Sequence, residues 1–272
     1  MHSELKKLAM NLVRGAFLEL YLTPKPGLVD QYDSGSHKDL SLSRMEASLK
    51  IVSRYLIELS EEVLSGGDLA AQVRLGTAAE SAMLDTVGTN CHKGYIFLSG
   101  LLLSASSQAP RQDEGALRQA VARVASQFFA PQESGTSNGS RVRSRFQAGG
   151  VRAEALGGLP SLFTQALPAF RREIASGGNR GSAVYAMLGR LMATVEDTTA
   201  LHRCGREGLR TLHEDGRILE QLVADREDFM SFLSQRNDHY VSRNLTMGGV
   251  ADLLALAFAW LSHTGELEAV RA

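Results

Sequence analysis

The chain has 272 residues, 44% of them hydrophobic and 22% charged, with a formal net charge of −1. One large folded domain over 1–272 fits that length and composition, and the disordered class does not. Near-zero charge excludes a basic field for nucleic acid, two cysteines exclude a disulfide framework or a four-cysteine zinc site, and the most apolar run, 250–261, contains Asp252 and is too short for a membrane span of roughly 20 residues.

Leu5, Leu8, Leu12, Ala16 and Leu20 recur at three- and four-residue spacing, which predicts a first helix ending before Pro24 and Pro26. Its opening turns show no signal-peptide core, so a cytoplasmic protein is expected. Residues 23–40 read as a long polar loop. Ser43-Arg-Met-Glu46 has the spacing of a capping box, with Leu42 placed to staple onto Ala47, and starts a second helix running to about Leu64. Ser65-Gly66-Gly67 stops it, and Asp68 can cap a third helix reaching about Thr86. Further helical stretches are expected near 95–107, 112–129, 161–175, 182–195, 206–223, 226–235 and 248–263. No segment alternates like a strand, and 131–150 reads as a long irregular connection. The predicted fold is an all-α, single-domain bundle of roughly ten helices with long functional loops.

Glycine sits oddly with that fold. There are 26 glycines against 6 prolines, and each glycine inside a helix costs about 1 kcal/mol relative to alanine. Many flank four polar clusters, where backbone amides could approach an anion closely. The first cluster holds Lys25, Asp30, Asp33, His37 and Asp39. In the second, Gly88 to Gly94, Asn90, His92 and Lys93 crowd a turn ahead of an apolar helix. The third is Arg152 and Glu154 between glycine pairs, behind Arg141, Arg143 and Arg145, which are expected to be solvated. Arg152 and Glu154 would point about 200° apart on a helix and would share a face only in an extended turn. The fourth joins Asp197, His202 and Arg203 to Asn244, Gly248, Gly249 and Asp252. Asp252 can serve the helix dipole or hold Mg²⁺ beside a phosphate. Cys91 and His92 are adjacent and chelate poorly, so zinc is not expected.

In this order, TPKPGLVD at 23–30, NCHKGYIF at 90–97, VRAEALGGLP at 151–160, LMATVEDTTALHRCG at 191–205 and RNLTMGGVADLLA at 243–255 resemble the triphosphoribosyl-dephospho-CoA synthase family, which serves citrate lyase and malonate decarboxylase. The resemblance implies an all-α transferase that moves a 5-triphosphoribosyl group from ATP to the ribose 2'-hydroxyl of 3'-dephospho-CoA and releases adenine. Its substrates would be small molecules, with neither nucleic acid nor membrane as partner, and the sequence leaves a homo-oligomer open. Cys91, Ala153, Thr199 and Cys204 depart from the family pattern while the charged anchors stay. That fits retained ATP handling and keeps two alternatives: another acceptor, as in a pterin or other cofactor pathway, or a non-catalytic helical nucleotide-binding protein. Glycosyl transfer at the ribose passes through an oxocarbenium-like state. Lys25, His92, Lys93, Arg152 and Arg203 are therefore assigned to phosphate, with the Gly248 and Gly249 amides, and Asn90 and Asn244 complete the nucleotide set. Asp197 and Asp252 are assigned to Mg²⁺, Glu154 is the general base, and His37 or His202 is the acid.

Overall fold

The computed structural model describes residues 2–109, 113–130 and 149–269. Twelve helices follow one another, with no strand among the described residues: α1 (His2–Tyr21), α2 (Leu42–Leu64), α3 (Leu69–Val87), α4 (Lys93–Ser106), α5 (Glu114–Phe129), α6 (Gly150–Leu156), α7 (Leu167–Ala175), α8 (Arg180–Thr194), α9 (Thr198–Ala224), α10 (Phe229–Arg243), α11 (Gly248–Thr264) and α12 (Glu266–Ala269). A π-helical turn, Ser161–Ala166, leads into α7.

Two helices set the core. Every residue of α4 from Leu98 to Ala105 is buried, and so is every residue of α11 from Leu253 to His263. A helix apolar on all sides has no face to give to water and must be surrounded. Around α11 stand α1, α4, α8, α9 and the π-helical turn. The amphipathic helices α1 and α2 bury one stripe each, Leu5, Leu8, Leu12 and Leu20 on α1 and Leu49, Val52, Leu56 and Leu59 on α2. Each such buried side chain contributes about 1.5–3 kcal/mol. Small residues let the helix backbones meet: a Cβ on Gly15 of α1 would lie 2.3 Å from the Ala255 carbonyl, and one on Gly216 of α9 would lie 2.4 Å from the Ala193 nitrogen of α8. Part of the glycine excess therefore serves helix contact, a use the loop-centred reading passed over. None of the described helices is long and apolar enough to cross a membrane.

Several expected boundaries shift. Asp68 caps α3 as expected, accepting the Ala71 N–H at 2.7 Å. Ser41, not Ser43, caps α2, because the Glu46 that would close the box instead accepts the Tyr21 hydroxyl of α1. Residues 150–156 form a helix where only a loop was expected. The expected helix over 206–223 begins eight residues earlier, since Asp197 caps it and Gly205 (φ 65°, ψ −161°) kinks it instead of ending it. The segment 131–148, with Arg141, Arg143 and Arg145, lies outside the described residues.

Candidate active site

Three of the four polar clusters converge. His37 and Asp39 from the loop before α2, Asn90 and Lys93 from the α3–α4 turn, His202 and Arg203 from α9, and Gly248 and Asp252 from α11 line one cleft of about 460 Å³. Thr198 and Thr199, which the sequence did not single out, line it at the start of α9. Their signal was their place directly behind a helix-capping aspartate.

Arg203 is the best-anchored cation there. It donates to the Ser36 carbonyl at 2.6 Å, to Asn244 Oδ1 at 3.0 Å and to His37 Nδ1 at 3.2 Å. Asn244 therefore positions Arg203 from the left-handed cap of α10 and does not line the cleft itself. With Nδ1 accepting from Arg203, the His37 Nε2–H donates to Thr246 Oγ1 at 3.1 Å. Burial, then the charge of Arg203, pushes the His37 pKa down to about 4 against the opposing pull of Asp39. A neutral imidazole with both nitrogens engaged has no proton to give, so the expected acid role does not suit His37. Lys93 reaches Glu80 at 2.8 Å but remains largely exposed, and a surface pair of this kind is worth about 0–1 kcal/mol. Its ammonium can change partner at little cost. Asn90 donates to the same Glu80 at 3.1 Å, which leaves its Oδ1 buried and unpartnered. His202 is exposed on the cleft and forms no hydrogen bond with the described residues.

Lys25 does not reach the cleft. It is 1% exposed and pairs with Glu19 Oε1 at 2.6 Å and with the Glu19 carbonyl. Two of its three N–H donors are spent on Glu19, and the buried side chain is absent from the cleft lining, so it is not the phosphate contact expected of it. His92 is also buried. Its Nδ1 lies 2.8 Å from Ser48 Oγ, whose own proton goes to the Met45 carbonyl, so Nδ1–H is the donor. Burial, with Lys25 nearby, pushes its pKa down to about 4. It lines a smaller inner cavity together with Glu19, Tyr95 and Asp252. A neutral ring on that side is not the phosphate contact expected of it.

The third cluster stands apart. On α6 the two side chains diverge, as their spacing on a helix requires. Arg152 stacks 4.5 Å over the Phe129 ring and lines neither cavity. Glu154 accepts the N–H (3.1 Å) and hydroxyl of Ser161, and burial raises its pKa despite those bonds. It faces a separate cavity, shared with Glu196 and Gly249, whose lining among the described residues has Thr198 in common with the main cleft. A carboxylate already capping the π-helical turn from a neighbouring cavity is not positioned as the general base of the cleft.

Both carboxylates expected to hold Mg²⁺ are occupied by backbone amides. Asp197 is 1% exposed. Its Oδ1 accepts the Thr199 and Ala200 N–H groups at 2.8 and 2.9 Å, and its Oδ2 accepts the Val250 N–H at 2.9 Å with Gly249 N–H beside it. One side chain thus caps α9 and α11 together, and its two oxygens are saturated. It also takes up the Gly249 amide that was expected to meet phosphate. Burial raises the pKa of Asp197 despite those donors, yet four N–H groups leave no room for a proton on the carboxylate. Asp252 accepts the Tyr95 N–H and so caps α4 from a different helix. Gly94 makes this possible, since a Cβ there would lie 2.0 Å from Asp252 Oδ2. Burial, reinforced by the charges of Glu19 and Asp197, pushes the Asp252 pKa well up, which favours its neutral form. A saturated carboxylate and one whose burial disfavours its charged form do not fit Mg²⁺, and no group of three or more His, Cys, Asp or Glu among the described residues could hold a metal ion.

The model of the ATP:dephospho-CoA triphosphoribosyl transferase family matches residues 5–269. A probable 2-(5''-triphosphoribosyl)-3'-dephosphocoenzyme-A synthase of Azotobacter vinelandii is 36% identical over 90% of this chain and 88% of its own. The Pseudomonas putida protein described in the same words is 33% identical over 96% and 95%. A 2-(5''-triphosphoribosyl)-3'-dephosphocoenzyme-A synthase of Klebsiella pneumoniae is 32% identical over 90% and 87%. No solved structure matches the chain. By a family model that matches almost its whole length, and by relatives 32–36% identical over about nine-tenths of it or more, the chain belongs to the ATP:dephospho-CoA triphosphoribosyl transferase family.

Proposed function

We propose that this cleft transfers the 5-triphosphoribosyl group of ATP to the ribose 2'-hydroxyl of 3'-dephospho-CoA and releases adenine. The observation that carries the reading is the convergence of Lys93, Arg203, His202 and Asp252 on one cleft from segments far apart in the chain. Residues 1–272 act as one domain in this reading. A cytoplasmic location fits its nucleotide substrates and the names of the relatives.

Arg203, held in place by three acceptors, and Lys93, which exchanges Glu80 for phosphate, grip the triphosphate. Preorganised charge of this kind needs no rearrangement at the moment of reaction. The acceptor oxygen then bonds to the anomeric carbon while the bond from that carbon to adenine N9 breaks. Asp252 gives its proton to the departing base, His202 takes the proton of the acceptor hydroxyl, and return of that proton to Asp252 closes the cycle. Asn90 Oδ1 takes a donor from the nucleotide, either an amino group or a ribose hydroxyl. No step needs a metal ligand from the chain.

Adenine release from ATP, followed chromatographically with dephospho-CoA present, tests the activity. Asp252→Asn keeps an acceptor for the Tyr95 N–H but has no proton to transfer, so kcat should fall at least 100-fold with ATP affinity nearly unchanged. Adenine release at the wild-type rate in that variant would remove Asp252 from the chemistry. The absence of adenine release from the wild-type protein would overturn the enzyme reading itself.

A further inference from the structure

A second concavity lies outside the site described above. It is a largely apolar groove between α2, α3, α4 and α5, walled by Val73, Ile96, Phe97 and Phe128. Two polar groups mark its length. Glu80, on the groove wall, is the residue that holds Asn90 and Lys93 of the cleft, so one end of the groove opens beside the cleft. Gln72 lies eight residues earlier on α3, about 12 Å along the helix. Its Nε2 donates to the Gly67 carbonyl at 3.0 Å, while its Oε1 is buried without a partner. A buried acceptor left unpaired in an apolar wall costs about 1–3 kcal/mol and marks where a ligand donor belongs.

We infer that this groove holds the pantetheine arm of the acceptor. This rests on the acceptor proposed above and deepens it. The arm is a chain of roughly twelve atoms, about 14 Å extended, in which a gem-dimethyl and several methylene groups alternate with a hydroxyl and two amides before a terminal thiol. It is joined to its adenosine through a diphosphate. Those features meet the groove in order: the end at Glu80 opens beside the cleft where the diphosphate would pass, the apolar walls follow, and the Gln72 Oε1 offers an acceptor for an amide N–H. The ribose that reacts stays in the cleft, while the arm, which takes no part in bond making, supplies binding energy along α3.

Gly76 allows a direct test. A Cβ there would come no closer than 3.7 Å to Tyr55 Oη and 3.9 Å to Ile96 Cγ2, ordinary contacts on the groove wall. In Gly76→Phe a ring fills the groove while the substitution favours the helix. Free pantetheine, followed by ligand-observed NMR, should bind the wild-type protein and lose at least tenfold in affinity in Gly76→Phe, with far-UV circular dichroism unchanged. In turnover, KM for dephospho-CoA should rise at least tenfold while KM for ATP and kcat hold. Gln72→Leu, an alteration on the same helix with no steric demand, should raise KM for dephospho-CoA several-fold. ADP, which carries the ribose and diphosphate without the arm, should bind all three proteins equally. Pantetheine that fails to bind the wild type, or binds Gly76→Phe and Gln72→Leu equally well, overturns the inference. Because pantetheine binding requires no turnover, it separates this failure from the failure of the transferase reading, which shows as no adenine release from ATP.

Discussion

Asp197→Asn separates two jobs that one carboxylate could hold. The amide keeps an oxygen for the Thr199 and Ala200 N–H groups but turns an NH₂ towards the Val250 N–H, 2.9 Å away, and the neighbouring Gly249 N–H. Two buried donors lose a charged acceptor, each such bond being worth about 1.5–3 kcal/mol, so the expected loss is about 3–6 kcal/mol. Unfolding entropy of about 2.1 cal/mol/K per residue converts that into a Tm lower by about 5–11 °C for a chain of this length. Calorimetry without ATP or Mg²⁺, with urea unfolding as a second measure, reads the effect directly. If Asp197 were a metal ligand, the substitution would leave the metal-free protein as stable as the wild type and remove only activity. A loss below about 1 kcal/mol in metal-free buffer, together with lost turnover, would refute the double-cap assignment.

The Lys25–Glu19 pair makes a related prediction. Lys25→Met strands a buried carboxylate and should cost about 3–5 kcal/mol, whereas the double substitution Lys25→Met with Glu19→Leu should recover much of that in thermal unfolding. KM for ATP should stay within twofold in the double variant, and a tenfold rise would return Lys25 to the phosphates. His37 and His92 predict an acid limb in stability. Both pKa values fall from an unfolded value near 6.5 to about 4, so the folded state binds fewer protons and stability is lost as pH drops from about 6.5 towards 4. His92→Gln should flatten that limb in a pH series of Tm values, and an unchanged slope would count against a neutral buried ring. Asp252 acts in the opposite sense. Its folded pKa is raised, so its contribution is present at low pH and is lost as pH rises through that value, and Asp252→Asn should gain Tm over the wild type towards alkaline pH.

What the sequence made legible follows the range of the physics involved. Apolar periodicity is local, and it located α1, α3, α5 and the two all-apolar helices to within a few residues. Polar clusters beside glycines pointed to segments that meet in the cleft, and His202, Arg203, Lys93 and Asn90 line it. Expectation and structure part where a side chain's partner comes from elsewhere in the fold. Lys25 looks like an exposed cation until Glu19 is seen folding onto it, and Asp197 looks like a metal ligand until the amides of α11, some fifty residues on, point at it. Arg152 and Glu154 were misplaced because a seven-residue helix is too short to show a period. Glu80 carried no signal, being one acidic residue on an ordinary helix whose role appears only when Asn90 and Lys93 arrive.

The kink at Gly205 divides α9 into unequal halves with separate duties. The first two turns, Thr198 to Cys204, carry His202 and Arg203 into the cleft, while the remainder packs Leu212, Gly216 and Leu219 against α8. A continuous rod would pass every tilt of its long half on to the catalytic end. With a swivel between them, the scaffold can drift under mutation, gaining or losing stability along α8 and α9, while the substrate-facing turns keep their aim. Variation in this family should therefore run through the exposed face of the second half, spare the packed Leu212, Gly216 and Leu219, and stop at Gly205.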